Sequence, residues 1–408
     1  MQIAYDIVII GAGPAGLGFA ASMLDTNVNV LILERSDLED ISSPKVDGRE
    51  VALTHLSLKI LKKLGVWDLV DQTKVSPLRE AKVFDGDSPS LLNFKSDKAN
   101  IEALGYLVPN HKIRQALYNR VKDAKNITIQ TNTLADDVIQ LENSAQVVLV
   151  GGECIETKLV IAADSRFSSI RRKVGIPTLM KDFSKVMIIT KMMHEKSHKN
   201  IALECFDYGR TLALLPMIGD ASSVVLTVKT DESKKILEMN EAEFNEMITS
   251  SFKASLGEMT QSGKRHSYPL VATHAQTFIA QRFALIGDAA VGMHPVTAHG
   301  YNLGLRGQDI LATLIKEALE HGQDIGSSSL LKLYEKKHIN LTRLMFFGTN
   351  GIVALFTNDA PVIKQVRKMV LKFAENFPPI KYLISNQLTE AKSNKFTPFE
   401  KILKKLPF

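Results

Sequence analysis

The chain has 408 residues, 45% hydrophobic and 23% charged, which is enough for two or three domains or one large intergrown unit. That composition excludes a mostly disordered chain, a collagen and a long coiled coil. The net charge of +6 is unevenly placed: residues 361–408 carry ten Lys or Arg against three Glu, a net +7, leaving −1 for the first 360. A basic tail on a neutral body fits an anionic membrane surface or an acidic partner, and no nucleic-acid partner is expected, because that would show a basic face with interleaved aromatics. Two cysteines, Cys154 and Cys205, provide neither a disulfide scaffold nor a four-cysteine zinc site, so a reducing compartment is expected. Asp6 interrupts the apolar N-terminal stretch and no Lys or Arg precedes it, so no signal peptide is expected. The longest nearly apolar run, Leu344–Phe356, has 13 residues and is too short to span a bilayer. The expected location is the cytoplasm, with peripheral attachment to the inner membrane as an option.

Asp6-Ile-Val-Ile-Ile10 is a short apolar run rich in β-branched residues, as in a buried parallel strand. Gly11-Ala-Gly-Pro-Ala-Gly16 follows, then Leu17–Leu24 with helical composition, then a second apolar run, Val28–Leu33, ending at Glu34. This is G-x-G-x-x-G in a strand–turn–helix–strand setting, with an acid 18 residues beyond Gly16. Gly11 permits the tight turn, Gly13 lets the backbone approach a pyrophosphate, and Gly16 lets helix and strand pack closely; Pro14 and Ala15 open the helix. The helix N-terminus would face the phosphates. Glu34 can accept hydrogen bonds from ribose hydroxyls and would repel a 2′-phosphate, so the site fits FAD or NAD; Arg35 beside it is a further candidate contact. The motif alone does not separate the two cofactors.

Gly151-Gly152 reads as a hairpin turn between Val147–Val150 and Cys154–Ile155. Val186–Met193, Ile201–Tyr208, Thr211–Pro216 and Ser223–Val228 have the composition of strands, predicting a sheet over the cofactor with an apolar pocket beneath it. Met192, Met193 and Met217 are expected mainly as core, the alternative being a lining of that pocket. Phe283–Asp288 is another buried strand ending in Gly-Asp, continued by a glycine-spaced turn and helix through Arg306. An NAD site is usually complete within its own local fold. A second acid/glycine surface this far along the chain fits a longer cofactor, FAD. His294 and His299 have no carboxylate spaced to complete a metal site, so no metal is expected. His299 is weighed between a structural histidine and a group acting near the flavin, and no residue stands out as a catalytic base.

These segments resemble the class A flavoprotein monooxygenases, and more closely the ubiquinone-biosynthesis hydroxylases, from residue 4 to about residue 390. Asp47–His55 with Leu61–Trp67 resembles the family's arginine segment, Leu104–Arg114 the segment whose helix contacts the cofactor, and Ala162–Arg172 the central motif. The departures are Ser165 for a glycine, Val291 for a histidine, Thr297-Ala-His-Gly300 for Ala-Gly-Gln-Gly, and Gly307 for an aspartate. This set resembles the UbiM-type branch, the 5-demethoxyubiquinol hydroxylases.

The resemblance implies an α/β fold: a Rossmann-like FAD-binding domain from 1–180 and 270–330, an inserted mainly antiparallel β-sheet substrate domain at 181–269, and a helical C-terminal region at 331–408 with the basic tail. It implies tightly bound FAD held by Gly11, Gly13, Pro14, Ala15, Gly16, Glu34, Arg35, Arg49, Arg114, Asp164 and Asp288. Pro295 and the backbone of Gly300, Tyr301 and Asn302 would cradle the pyrimidine end of the flavin. No second complete G-x-G-x-x-G is present, so NAD(P)H would bind transiently as reductant. The implied reaction is hydroxylation of a polyprenylated phenol or quinol on the ubiquinone pathway, at C5 or at several ring positions, through a flavin C4a-hydroperoxide. Alternatives are a flavin-dependent prenyl reductase and a non-catalytic flavoprotein subunit of a quinone-synthesis complex.

In the tail, Thr397–Glu400 looks like a helix start, and Phe399, Ile402, Leu403 and Leu406 form an apolar stripe beside Lys401, Lys404 and Lys405. A similar upstream stripe, Val362, Val366, Met369, Val370 and Phe373, is expected to pack on the core; the terminal one is the docking candidate.

Overall fold

The computed structural model describes residues 5–85, 92–96, 101–207, 210–357 and the single positions 360, 365, 369, 389 and 390. The chain begins with β1 (Tyr5–Ile10), α1 (Pro14–Ser22), β2 (Val30–Leu33), α2 (Leu38–Ser42), β3 (Glu50–Leu53) and α3 (His55–Lys63). β4 (Ser76–Leu78), β5 (Glu80–Asp85), β6 (Leu92–Lys95), β7 (Gly105–Pro109) and α4 (Asn110–Val121) follow. Next come β8 (Ile127–Gln130), β9 (Ala135–Gln140), β10 (Ala145–Leu149), β11 (Cys154–Ala162) and α5 (Ser169–Lys173). β12 (Thr178–His194), β13 (Ile201–Asp207), β14 (Arg210–Pro216) and β15 (Ala221–Lys229) lead to α6 (Thr230–Glu238) and α7 (Glu241–Ser251). The described chain ends with β16 (Met259–Gln261), β17 (His266–Ala275), β18 (Ile279–Ala280), β19 (Phe283–Leu285), β20 (Val291–Gly292), α8 (Gly300–Glu320) and α9 (Ser328–Thr357).

β1 is apolar on both faces because it is an inner strand: β2 and β11 flank it in parallel. Ile7, Val8 and Ile9 have no accessible surface. The sheet runs β18-β19-β11-β1-β2-β8, with the β9–β10 hairpin attached to β11. β10 and β11 pair through the turn at Gly151-Gly152, both with positive φ, as expected from the dipeptide. The parallel core ends its strands toward one edge, where ligands of such sheets bind.

The second sheet runs β20-β17-β12-β15-β14-β13-β5-β6, with β16 on β12. One face buries Ile188, Met192, Leu214 and Val224 against Ile236, Phe244 and Ile248 of α6 and α7. Met192 is thus core, while Met193 on the opposite face is exposed. The other face carries Met187, Ile189, Val225 and Leu270. β12 begins eight residues before the run Val186–Met193, because Thr178–Asp182 continues the β17 ladder across an irregularity between Asp182 and Val186. Those extra residues are mostly exposed, Leu179 and Met180 among them, and lack the apolar continuity of the later run. β5 and β6 come from early in the chain, yet β5 pairs in parallel with β13 and completes this sheet. A third sheet, β3-β7-β4, is small.

α9 packs Leu331, Tyr334, Ile339 and Phe346 into the main core, and the Tyr334 hydroxyl donates to the Leu285 carbonyl at 2.7 Å. Among the described residues it is the one helix long and apolar enough to cross a bilayer; 44% of its apolar window is buried inside the protein. Both tail stripes lie outside the described residues except Met369, which is exposed.

Candidate flavin and substrate site

At the start of α1, Gly13 occupies the N-cap and no side chain caps the first turn, so its N–H groups are left for a ligand. Gly11 has φ +108°, and a Cβ there would lie 2.7 Å from the Ala163 carbonyl oxygen. A Cβ on Gly16 would lie 2.0 Å from the Gly11 carbonyl oxygen, whereas one on Gly13 would meet nothing within 4 Å. The three glycines therefore divide as the spacing predicts: two serve close packing and one faces open space. Pro14 and Ala15 form the first helical positions. Glu34 is fixed by the turn itself, accepting from the Ala12 N–H at 2.7 Å and the Ser36 N–H at 2.9 Å. Each carboxylate oxygen keeps a lone pair for a further donor. Arg35 is exposed beside it.

The second surface meets the first. A Cβ on Gly287 would lie 2.5 Å from the Ala15 side chain, and one on Gly304 of α8 would lie 3.3 Å from Gly287 Cα. Asp288 thus stands between the starts of α1 and α8. Arg166 donates to its Oδ2 from Nη2 at 2.9 Å and Nε at 3.3 Å, and from Nη1 to the Val271 carbonyl at 2.8 Å. Arg171, 2% exposed, donates to the Ala289 carbonyl at 2.6 Å and the Arg166 carbonyl at 3.1 Å, bracing the same turn. Asp164 lies against Gly11, and its Oδ1 is buried without a partner. Burial raises its carboxyl above the ordinary range, opposed by Ser168 and Arg171. Sequence reasoning assigned no role to Arg166 or Arg171, although both stand in the central motif; two arginines just past a buried strand end were the available signal.

Arg49 bonds Asp47 Oδ2 through Nη2 at 2.7 Å and Nε at 3.1 Å, and its guanidinium lies 5.5 Å from the Tyr268 ring centroid. Asp47 also accepts from Asn110 Nδ2 at 2.7 Å, and its carbonyl accepts from the Tyr268 hydroxyl at 2.7 Å. Burial would raise the Asp47 carboxyl, but Arg49 and these bonds hold it below its usual range. Glu50, next in the chain, is pushed up to about 8 by burial and by Asp47, against Lys191. Arg114 is on α4, which packs against α1 and α2, and donates to the Asp40 carbonyl at 3.2 Å.

Pro295 begins a 3-10 turn that ends at Ala298 with φ +53°. Alanine holds a left-handed conformation here at a cost of about 1 kcal/mol. Asn302 steadies it: Nδ2 donates to the Ala298 and Ala52 carbonyls at 2.9 and 2.8 Å, and Oδ1 accepts from the Thr54 N–H at 3.1 Å. Its side chain thus ties this loop to β3, leaving its backbone and that of Gly300 at the N-terminus of α8, which has no side-chain cap. The Tyr301 hydroxyl is buried without a partner, and burial holds its proton on. Above the loop is a mainly apolar cavity of about 130 Å³, lined among others by Ala52, Leu78, Ala81, Phe94, Leu104 and His299. Among the described residues no group of three or more His, Cys, Asp or Glu converges as a metal site.

The FAD binding domain family matches residues 4–345. The chain belongs to the FAD-dependent monooxygenases. This monooxygenase is 45% identical over 393 residues to Ubiquinone hydroxylase UbiM of Neisseria meningitidis, covering 95% of this chain and 85% of that one. It is 31% identical to Ubiquinone hydroxylase UbiL of Rhodospirillum rubrum, covering 93% and 88%. It is 26% identical to 3-demethoxyubiquinol 3-hydroxylase of Escherichia coli, covering 91% and 94%. Its fold is that of p-nitrophenol 4-monooxygenase PnpA from Pseudomonas putida, with a TM-score of 0.76 at 17% identity over 95% of this chain and 99% of that one.

FAD is the cofactor of the monooxygenase, and the residues fit it. The uncapped α1 start, the open space at Gly13 and the unpartnered Asp164 oxygen together form a polar cradle. The family departures have local causes. Ser165 has no positive φ, so no glycine conformation is required there, and its hydroxyl accepts from the Phe167 N–H at 3.2 Å. Val291 is buried in a short ladder with His274. A Cβ on Gly307 would lie 2.6 Å from His338 Nε2. In this monooxygenase the buried His338 fills the space that an aspartate side chain would take, and burial pushes its imidazole down to about 3.

Proposed function

We propose that this monooxygenase hydroxylates the aromatic ring of a polyprenylated ubiquinone precursor, at C5 or at several positions, with NAD(P)H and dioxygen as co-substrates. The observation that carries the reading is the 45% identity to a ubiquinone hydroxylase over 95% of the chain. The apolar cavity beside the Pro295–Asn302 loop supports it, because an aromatic ring needs apolar walls and water must be kept from the reacting centre. When bound, FAD supplies hydride acceptance and oxygen activation; the chain supplies position and charge. Gly11, Gly13, Pro14, Ala15 and Gly16 receive the pyrophosphate, and Glu34 and Arg35 the adenosine end. Arg49 and Arg114 balance phosphate charge, and Asp164 and Asp288 bond the central polar chain. Pro295, Gly300, Tyr301 and Asn302 border the pyrimidine ring. Residues 1–180 and 270–330 form the FAD-binding part and 181–269 its roof, except that β5, β6 and the end of β17 belong to the roof sheet, and 331–408 is the helical region and tail.

Label from dioxygen, and not from water, is expected in the quinone ring when the reaction is run in labelled gas and followed by mass spectrometry. Cells lacking the protein, with no redundant hydroxylase, should accumulate an under-hydroxylated quinone. Normal intermediates in such cells would end the ubiquinone assignment.

A polyprenyl substrate resides in the bilayer, so the basic tail gives the enzyme reversible attachment to an anionic membrane or to a quinone-synthesis complex. Each lysine near an anionic surface contributes about 1 kcal/mol. Deleting residues 397–408 is expected to abolish salt-sensitive pelleting with anionic liposomes; equal pelleting of both forms at every salt concentration would rule this out.

A further inference from the structure

Glu204 lies on β13, and strand alternation settles which way it faces. Leu203 and Cys205, its chain neighbours, pack with Ile188, Met192 and Leu214 on the side of α6 and α7. Phe206, on the same face as Glu204, packs instead with Val83, Leu92, Val296 and Phe356. Glu204 therefore belongs to the face that looks toward the Pro295–Thr297 loop. The register extends this face sideways: Glu204 pairs with Val83 and Ala213, Ala213 with Val225, and Val225 with Ile189. Ile189 lies 3.5 Å from where a Cβ on Gly48 would stand, beside the Arg49 segment. In the next row Ala202 pairs with Ala81, which lines the apolar cavity. Glu204 thus sits in the roof between the Arg49 segment and the loop at the start of α8.

Its neighbours in this row are apolar. Among the described residues no ion pair or hydrogen bond engages its carboxyl. The residue is half-buried and protein encloses its carboxyl. An unpaired carboxyl in such surroundings costs stability, and groups of that kind concentrate where a ligand supplies the missing partner.

We propose that Glu204 is the catalytic base of the hydroxylation, its carboxylate taking the proton of the substrate's ring hydroxyl. This assignment rests on the hydroxylase reading above. In the step the phenolic O–H bond breaks and a carboxyl O–H bond forms, giving phenolate and carboxylic acid. The electron pair stays on the phenolic oxygen and enriches the ring for electrophilic oxygen transfer. The carboxyl then loses its proton to water. Burial pushes Glu204 up to about 8. A phenol ionises near ~10, so the proton transfer is roughly 100-fold uphill, far less than for a carboxylate of ordinary acidity. The titratable groups on the elements around this face include Lys185 and Lys191 of β12, Lys229 of β15, Glu50 and Arg49, His266 and Tyr268 of β17, and His294 and His299 beside the loop. None perturbs Glu204, whose shift has burial as its one cause, and Lys82 of β5 pairs with Leu203 on the opposite face.

The test uses FAD-loaded wild type, Glu204→Gln and Glu204→Ala with a soluble short-chain prenylated phenol. Wild-type kcat/KM should rise with pH through about 8. Glu204→Gln should lower it roughly 10²–10⁴-fold and move the rise toward the phenol's own ionisation. Acetate should partly rescue Glu204→Ala. Independently of turnover, the phenol's dissociation constant should fall as pH rises through about 8 in wild type and stay level in Glu204→Gln, because only the carboxylate accepts the ring O–H in a charge-assisted bond. Folding has its own readout. Because the folded carboxyl sits above its ordinary 4.5, wild type loses stability as pH rises from there through about 8. Glu204→Gln, free of that loss, should melt above wild type at alkaline pH and keep its flavin. The same pH profile and the same pH dependence of phenol binding in wild type and Glu204→Gln would overturn the assignment. A rise in phenol affinity through pH ~8 in wild type that Glu204→Gln lacks, with no hydroxylated product from either, would uphold it and overturn the hydroxylase reading instead.

Discussion

Gly16→Ala is expected to yield little soluble protein and no bound FAD, while Gly13→Ala folds normally and fails only to hold the cofactor. The contrast follows from what each added methyl would meet. At Gly16 it would stand 2.0 Å from the Gly11 carbonyl oxygen and 3.2 Å from Ile9 Cγ2. Neither group can yield cheaply, because Ile9 belongs to an inner strand with no accessible surface and Gly11 is held against Ala163. Overpacking of this kind costs about 3 kcal/mol, the upper end of its usual range, and it twists the very turn that presents the α1 N–H groups. At Gly13 the methyl meets no protein atom within 4 Å, and φ is an unstrained −74°. It instead fills the lane by which the backbone approaches a pyrophosphate. Melting temperature and flavin content separate the two effects. A Gly13→Ala protein as yellow as wild type would show that the phosphates pass elsewhere.

What the sequence disclosed, and what it hid, follows from the range of the interactions involved. β1, β2 and the glycine turn were legible because each is specified within a few residues: a β-branched run, a spacing, an acid. The hairpin at Gly151-Gly152 was legible for the same reason. The place of β5 and β6 was not, since it depends on parallel pairing with β13 more than a hundred residues away. Arg166 and Arg171 stood in plain view, but only the fold brings their guanidinium groups to Asp288 and the Ala289 carbonyl. Glu50 and Glu204 were the hardest to read. A carboxylate within a strand pattern ordinarily reads as solvent-facing, and only the register across four strands shows that Glu204 looks inward. Gly307 shows the same limit from the other side: as a missing aspartate it was a departure without a cause until His338 was seen to fill the space.

Asp288→Ala is expected to weaken FAD binding by about 10–150-fold, as the loss of one charge-assisted hydrogen bond worth roughly 1.5–3 kcal/mol would give. Oδ2 of Asp288 is already engaged by Arg166 at 2.9 and 3.3 Å, so Oδ1 is the acceptor left for a ribitol hydroxyl. The ion pair then has two uses. It fixes the carboxylate against the turn between α1 and α8, and it keeps the Arg166 cation neutralised beside the proposed cofactor site. Removing the carboxylate leaves that guanidinium with the Val271 carbonyl at 2.8 Å as its remaining bond. Arg166→Met should therefore weaken FAD less than Asp288→Ala, because the carboxylate survives with looser orientation. The double variant should bind no worse than Asp288→Ala alone, since Arg166 acts through the group already removed. Asp288→Asn, which keeps an oxygen acceptor but loses the charge, should fall between wild type and alanine. Titration of each apoprotein with FAD, followed by quenching of flavin fluorescence, orders the four variants. Additive losses from Arg166→Met and Asp288→Ala would mean that Arg166 contacts the cofactor directly, and an Asp288→Ala protein with unchanged affinity would remove the ribitol contact from the site.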